Sequence, residues 1–162
     1  MQCKIQESEY SKAVSALLKT RSPDRLLCGT PQHISCILEK MITHATKSVF
    51  IHSRYLSGCI FGRSLYNALS AKKNILIDIY VEVCENDAEA TNIIEAIKTG
   101  ELPNISIHFQ SKKQCTYRYA VMDDDVFLFL PDKDCFTGFM SANDPKTAKY
   151  LLGRFKADPQ LL

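Results

Sequence analysis

The ten residues NILIDIYVEV, Asn74 to Val83, set Ile75, Ile77, Ile79, Val81 and Val83 in alternation with Leu76, Asp78, Tyr80 and Glu82. Strict alternation is the period of a pleated strand, whose successive side chains leave opposite faces. Upstream lies a second β-rich run, KSVFIHS at 47–53, and the segment CIFGRSLYNALSAKK (59–73) between them spaces Ile60, Leu65 and Leu69 as a helix does. Strand, helix and strand in this order predict a right-handed parallel unit, because parallel neighbours need a long crossover. The helix-like run ENDAEATNIIEAIKTG (85–100), closed by Gly100, and the strand NISIHF (104–109) continue the pattern.

Toward the N-terminus, SEYSKAVSALLKTR (8–21) gathers Tyr10, Ala13, Val14, Leu17 and Leu18 on one stripe, which predicts an amphipathic helix within residues 1–22. Residues 23–162 then form the α/β domain. Leu26 to Cys28 read as a short strand. Thr30 caps a following helix with Pro31 in its first turn, Ile34, Ile37, Leu38, Met41 and Ile42 facing inward, and its end near Thr46.

Beyond residue 109 the character changes. YRYAVM (117–122) and VFLFL (126–130) are strands joined by a tight Asp123-Asp124-Asp125 turn, since aspartate tolerates turn geometry. Turn chemistry accounts for these three acids better than a cation site, because successive side chains on a turn point apart. PDKD (131–134) is a further turn, CFTGFM (135–140) one more strand, and NDPKTAKYLLGRFK (143–156) a closing helix capped by Asn143 or Asp144.

Composition narrows the classes. The 162 residues suffice for one good core, and 46% hydrophobic with 23% charged residues is ordinary for a globular chain. No stretch offers the roughly 18 consecutive apolar residues of a membrane span. The N-terminal MQCKIQESEY carries charges where a signal peptide needs its apolar run, which predicts a cytoplasmic protein. Seven dispersed cysteines without a CxxC pair read as reduced, mostly buried thiols, and the four histidines lack partners at ligand spacing, so neither metal nor cofactor is expected. A net charge of +2 does not by itself announce nucleic-acid binding.

The order of elements around ATKSVFIHSRYL (45–56), NILIDIYVEV and the terminal hairpin resembles a phospholipase D-like domain, over roughly Leu26 to Lys156. Active members carry HxKxxxxD followed by glycine, serine and asparagine, with the histidine attacking phosphorus and the lysine and asparagine holding phosphate oxygens without a metal. Counting back from Asp123, this chain has Thr116 in the histidine position and Arg118 in the lysine position. Taking Asp124 or Asp125 as the anchor restores neither residue. The later element is represented by Ser141 and Asn143 in GFMSAND.

The resemblance thus implies an α/β fold with a mixed sheet, parallel inner strands, an antiparallel C-terminal hairpin and helices on both faces. It implies a motif degenerate at Thr116, Arg118 and Asp123, with no assured nucleophile. The ligand-binding candidates are Arg118, Ser141 and Asn143, joined by His52 and Arg54 because ligands in open α/β sheets gather at the carboxyl ends of strands. Active relatives combine two motifs, so a single domain implies a homodimer. The expected role is a binding or interaction module for a protein, a nucleic acid or another phosphate-bearing ligand. Its rivals are a divergent metal-independent nuclease or phosphodiesterase, and a purely structural subunit with a filled site.

Overall fold

Alternation in NILIDIYVEV becomes a strand with one face fully dry: Ile77, Ile79 and Val81 are each 0% exposed, whereas Leu76 on the other face is 51% exposed. The computed structural model describes residues 2–56, 59–84, 88–109, 117–132 and 135–157. Its elements run α1 (Gln2–Thr20), β1 (Arg25–Cys28), α2 (Pro31–His44), β2 (Ser48–Leu56), α3 (Arg63–Ala71), β3 (Leu76–Cys84), α4 (Ala88–Lys98), β4 (Ile105–Phe109), β5 (Arg118–Met122), β6 (Val126–Leu130), β7 (Gly138–Ser141) and α5 (Pro145–Ala157). The strands form one sheet in the order β1-β7-β6-β5-β2-β3-β4.

β2 is the seam of this mixed sheet. It runs parallel to β3, with His52 opposite Tyr80, and antiparallel to β5, with His52 opposite Tyr119. β3 and β4 are parallel, whereas β5, β6, β7 and β1 pair antiparallel in succession. The expected α/β architecture, with parallel inner strands and an antiparallel hairpin, is therefore observed.

Helices cover both faces. α1 to α4 contribute Val14, Leu18, Ile37, Met41, Leu65 and Ile93 to a core built on Val49, Ile51, Ile77 and Ile79. α5 lies on the opposite face, where Ala148, Leu151 and Leu152 pack with Phe50, Val121 and Phe127.

Local chemistry sets the boundaries. Thr30 accepts a hydrogen bond from the His33 amide at 3.1 Å, and Pro31 opens α2, whose five expected inward residues are all buried. α2 stops at His44, slightly before the expected Thr46, because the Thr46 amide is already taken by a side chain described below. α4 ends in a Schellman motif: Gly100 adopts φ +82°, and the amides of Gly100 and Glu101 reach the carbonyls of Ile97 and Ala96. Asp144, rather than Asn143, caps α5 by accepting from the Thr147 amide at 3.0 Å. Among the described residues no helix is long and apolar enough to cross a membrane.

Candidate functional site

The β5–β6 hairpin sorts the motif residues to its two ends. At the turn, Asp123 and Asp124 adopt φ +53° and +70°, the doubly left-handed pattern of a type I′ connection. Asp123 thereby aims its carboxylate at the start of β2. Oδ1 accepts from the amides of Lys47 at 2.7 Å and Ser48 at 3.1 Å, and Oδ2 accepts from the amide and hydroxyl of Thr46 at 2.8 Å and 3.0 Å. Burial pushes its pKa up, but the amides of Thr46, Ser48 and Lys47 and the Thr46 hydroxyl pull harder, leaving the carboxyl below its usual range.

Arg21, just past α1, reaches Asp125 at 3.1 Å and Asp123 at 3.8 Å, tying the N-terminal helix to the same turn. Burial raises the pKa of Asp125 despite the opposing charge of Arg21. The aspartate of the motif is thus a clamp between chain segments.

Arg118 stands at the other end of the hairpin, paired with Leu130, and is only 3% exposed. One Nη donates to the carbonyl of Cys135, and the guanidinium lies 5.3 Å from the Phe136 ring centroid. Between the sheet and α2 lies a cavity of about 20 Å³ bordered by Ile34, Leu38, Ser53, Ile60, Arg118 and Leu130. That is room for roughly one water. The cysteines are less buried than expected, since Cys28 is buried but Cys59 and Cys135 are exposed, and the thiols beside Arg118 are not activated. Burial pushes Cys28 up to about 11, and the hydrogen bond and charge of Asp132 raise Cys135. Thr116 lies outside the described residues.

His52 sits one register step from Arg118 but on the other face, because adjacent positions in a strand alternate. Its ring stacks on Tyr119 at 5.3 Å, and next along the sheet Tyr80 stacks on His108 at 4.4 Å, with His108 Nε2 3.6 Å from Asp78. Arg54, two residues on, falls on the His52 face and is half-buried.

Ser141 and Asn143, expected beside Arg118, lie elsewhere. Ser141 pairs with Phe127 near the aspartate turn, and the Asp144 amide donates to the Asp125 carbonyl at 2.9 Å. β7 runs in the same direction as β5, so Gly138 is the residue at the Arg118 end and each step toward Ser141 leads away from it. Close packing marks Gly138: a Cβ there would stand 2.1 Å from the Phe129 carbonyl oxygen. The expected constellation of His52, Arg54, Arg118, Ser141 and Asn143 therefore divides between two faces and two ends of the sheet.

Two features lie outside the motif residues. A pocket of about 330 Å³ opens between α1 and α2, where Tyr10 stacks on His33 at 4.0 Å above Cys36, Glu39 and Ser64; no motif signals it. The outward face of α5 carries Lys146, Lys149, Tyr150 and Arg154, and its signal was the absence of any acid from PKTAKYLLGRFKA.

No family model and no curated protein sequence matches the chain. Solved structures do match. The fold is similar to that of NucT from Helicobacter pylori, at 14% identity and a TM-score of 0.60, covering 82% of this chain and 93% of NucT. It is similar to Nuc from Salmonella typhimurium, described as a phospholipase D family member, at 14% identity and a TM-score of 0.62, covering 83% and 93%. TrmBL2, an archaeal chromatin protein described as having a novel mode of DNA binding, matches at 14% identity and a TM-score of 0.57 over 96% of this chain and 59% of its own. The 96% share of this chain is too large to be reached without residues of α1. The chain has a phospholipase D-like fold.

Proposed function

We propose that this chain is a phospholipase D-like binding module that does not turn over phosphodiesters. The observation that carries the reading is the state of Arg118: a cation standing where the fold's chemistry needs one is 3% exposed and engaged by the Cys135 carbonyl and the Phe136 ring. A phosphate would have to displace both partners and enter a cavity of about 20 Å³. The sequence supplies no histidine at position 116, and a threonine hydroxyl is a weak nucleophile unless a base activates it. Asp123 has a structural use that needs no catalysis, since it clamps residues 46–48.

Binding is what the scaffold retains, and a fold does not dictate turnover. Neighbours of this fold include a phospholipase D family member and a chromatin protein described as binding DNA. We assign the ligand to the phosphate-bearing class, nucleic acid included, and place its contacts outside the closed Arg118 site. The test is cleavage of a chromogenic phosphodiester, of nucleic acid and of a phospholipid by pure protein, with and without chelator. No turnover above buffer is expected. Turnover abolished by Thr116→Ala or Arg118→Ala would establish a divergent phosphodiesterase instead.

A further inference from the structure

We infer that the outward face of α5 is a docking surface for single-stranded nucleic acid. The inference rests on the reading of this chain as a binding module and names its surface and partner. α5 buries Ala148, Leu151 and Leu152 against the sheet and turns Lys146, Lys149, Tyr150, Gly153 and Arg154 outward. These five positions share one arc of the helix, and Lys146 and Arg154 stand about 12 Å apart along its axis at 1.5 Å per residue. The chain as a whole is nearly balanced, with 20 basic and 18 acidic residues, yet α5 contains no acid. Within the helix no carboxylate offsets its cations.

Helix stability does not explain the pattern. Lys146 lies in the first turn, where the helix dipole disfavours a cation. Tyr150 is 64% exposed, so the core gains little from it. Gly153 is a poor helix former, and a Cβ on it would meet nothing within 4 Å, so internal packing does not require glycine there. A bare backbone beside an aromatic ring and three cations does suit close approach by a ligand. Arg154 is held in place by donating from Nε to the Tyr117 hydroxyl at 3.2 Å. Arg25, whose guanidinium lies 4.5 Å from the Phe139 ring centroid, extends the positive charge past the start of α5, where it and Lys146 both act on Asp144.

The chemistry selects the partner. Spaced cations answer a chain of phosphates, and an exposed aromatic ring offers a stacking platform to an unpaired base, which a duplex does not present. A lipid surface is disfavoured, since a membrane-bound amphipathic helix must spend its apolar face on lipid and that of α5 is already spent on the sheet.

The test is fluorescence anisotropy with a short labelled single-stranded DNA of mixed sequence, titrated with full-length protein between about 50 and about 200 mM salt. Binding is expected to weaken with salt. The double variant Lys146→Gln, Lys149→Gln should lower the slope of log K against log salt by roughly 1.4, at about 0.7 per phosphate contact. Tyr150→Ala should cost on the order of tenfold to a hundredfold in affinity through lost stacking. Removing equal charge elsewhere, with Lys73→Gln and Lys98→Gln, should leave both quantities unchanged.

Each substituted side chain is exposed, and far-UV circular dichroism verifies the fold of each variant. Lack of binding at low salt would overturn the inference, as would equal loss in the control variant. So would tighter binding to duplex DNA, anionic phospholipid vesicles or poly-glutamate than to the single strand. Assaying the same mixtures for cut strands keeps the two readings apart. Cleavage with α5-dependent binding would remove the inert-module reading and leave this surface standing, whereas no binding and no cleavage would do the reverse.

Discussion

Replacing Asp123 should unfasten the sheet at its seam. Its carboxylate, with a side chain 5% exposed, receives the amides of Thr46, Lys47 and Ser48 and the Thr46 hydroxyl at 2.7 to 3.1 Å. A hydrogen bond to a charged group contributes about 1.5–3 kcal/mol, and four taken at face value would sum to more than such a substitution can cost. Thr46 and Lys47 are exposed, so water re-solvates part of what is lost, and the loss for Asp123→Ala reduces to about 3 kcal/mol.

The backbone adds a separable part. At φ +53° alanine is strained by about 1 kcal/mol and glycine is not, so Asp123→Gly should be the milder change although it removes the same carboxylate. Asp123→Asn keeps one acceptor and tolerates the backbone, and should fall between wild type and Asp123→Ala.

The assay is urea unfolding followed by far-UV circular dichroism, since the chain has no tryptophan. The pH dependence follows from the direction of the shift. The folded-state pKa of Asp123 lies below its unfolded value, so its contribution is present above the unfolded value and lost as pH falls through the folded one. Asp125 is shifted up, so its contribution has the opposite sign: present below its unfolded value and lost as pH rises through the folded one. Asp123→Asn should therefore flatten the acid limb of the wild-type stability curve. Asp123→Ala within about 0.5 kcal/mol of wild type, the scatter of neutral surface changes, would refute the clamp.

Two glycines should respond in opposite directions to alanine. Gly138→Ala places a Cβ 2.1 Å from the Phe129 carbonyl oxygen and 2.7 Å from Leu130 Cδ2, and should cost about 3 kcal/mol or prevent folding, whereas Gly153→Ala should raise thermal stability by up to about 1 kcal/mol. Asp124→Gly should be neutral or stabilising by up to about 1 kcal/mol because its φ is +70°, while Asp124→Val should destabilise; both are read by thermal melts. Arg118→Met, which keeps volume and removes a buried charge, should lie within about 1.5 kcal/mol of wild type, and Arg118→Ala should cost about 2 kcal/mol through the cavity it leaves.

Much of the fold was legible because it is written in local periods. Alternation at Ile75 to Val83 yielded β3, the Thr30-Pro31 signal opened α2, Gly100 closed α4, and the aspartate run made the hairpin turn. The site was less legible, since convergence depends on strand direction rather than spacing. The serine-x-asparagine spacing beyond VFLFL falls on Ser141 and Asn143. The chain, however, folds back twice after Arg118 and regains that end of the sheet at Gly138, three residues too early. Nor does spacing reveal that His52 and Arg118, neighbours in register, fall on opposite faces, or that the Cys135 carbonyl closes over the guanidinium.

The same geometry explains why a sequence match to TxRxxxxD carries little information about activity. Its members serve different links of the chain from sequence to function. Asp123 belongs to folding: it joins the hairpin turn to the start of β2, and Arg21 joins it to the end of α1, so the seam between the parallel and antiparallel halves of the sheet depends on it whatever the protein does. Arg118 belongs to packing in this chain, because a buried guanidinium must find partners and here the Cys135 carbonyl and Phe136 provide them. Position 116, where the resemblance puts the nucleophile, holds threonine. The clamp serves folding whether or not a domain turns over phosphodiesters. The aspartate is therefore expected in active and inactive domains alike, and diagnosis of activity has to rest on the nucleophile and on whether the neighbouring cation is open to a phosphate.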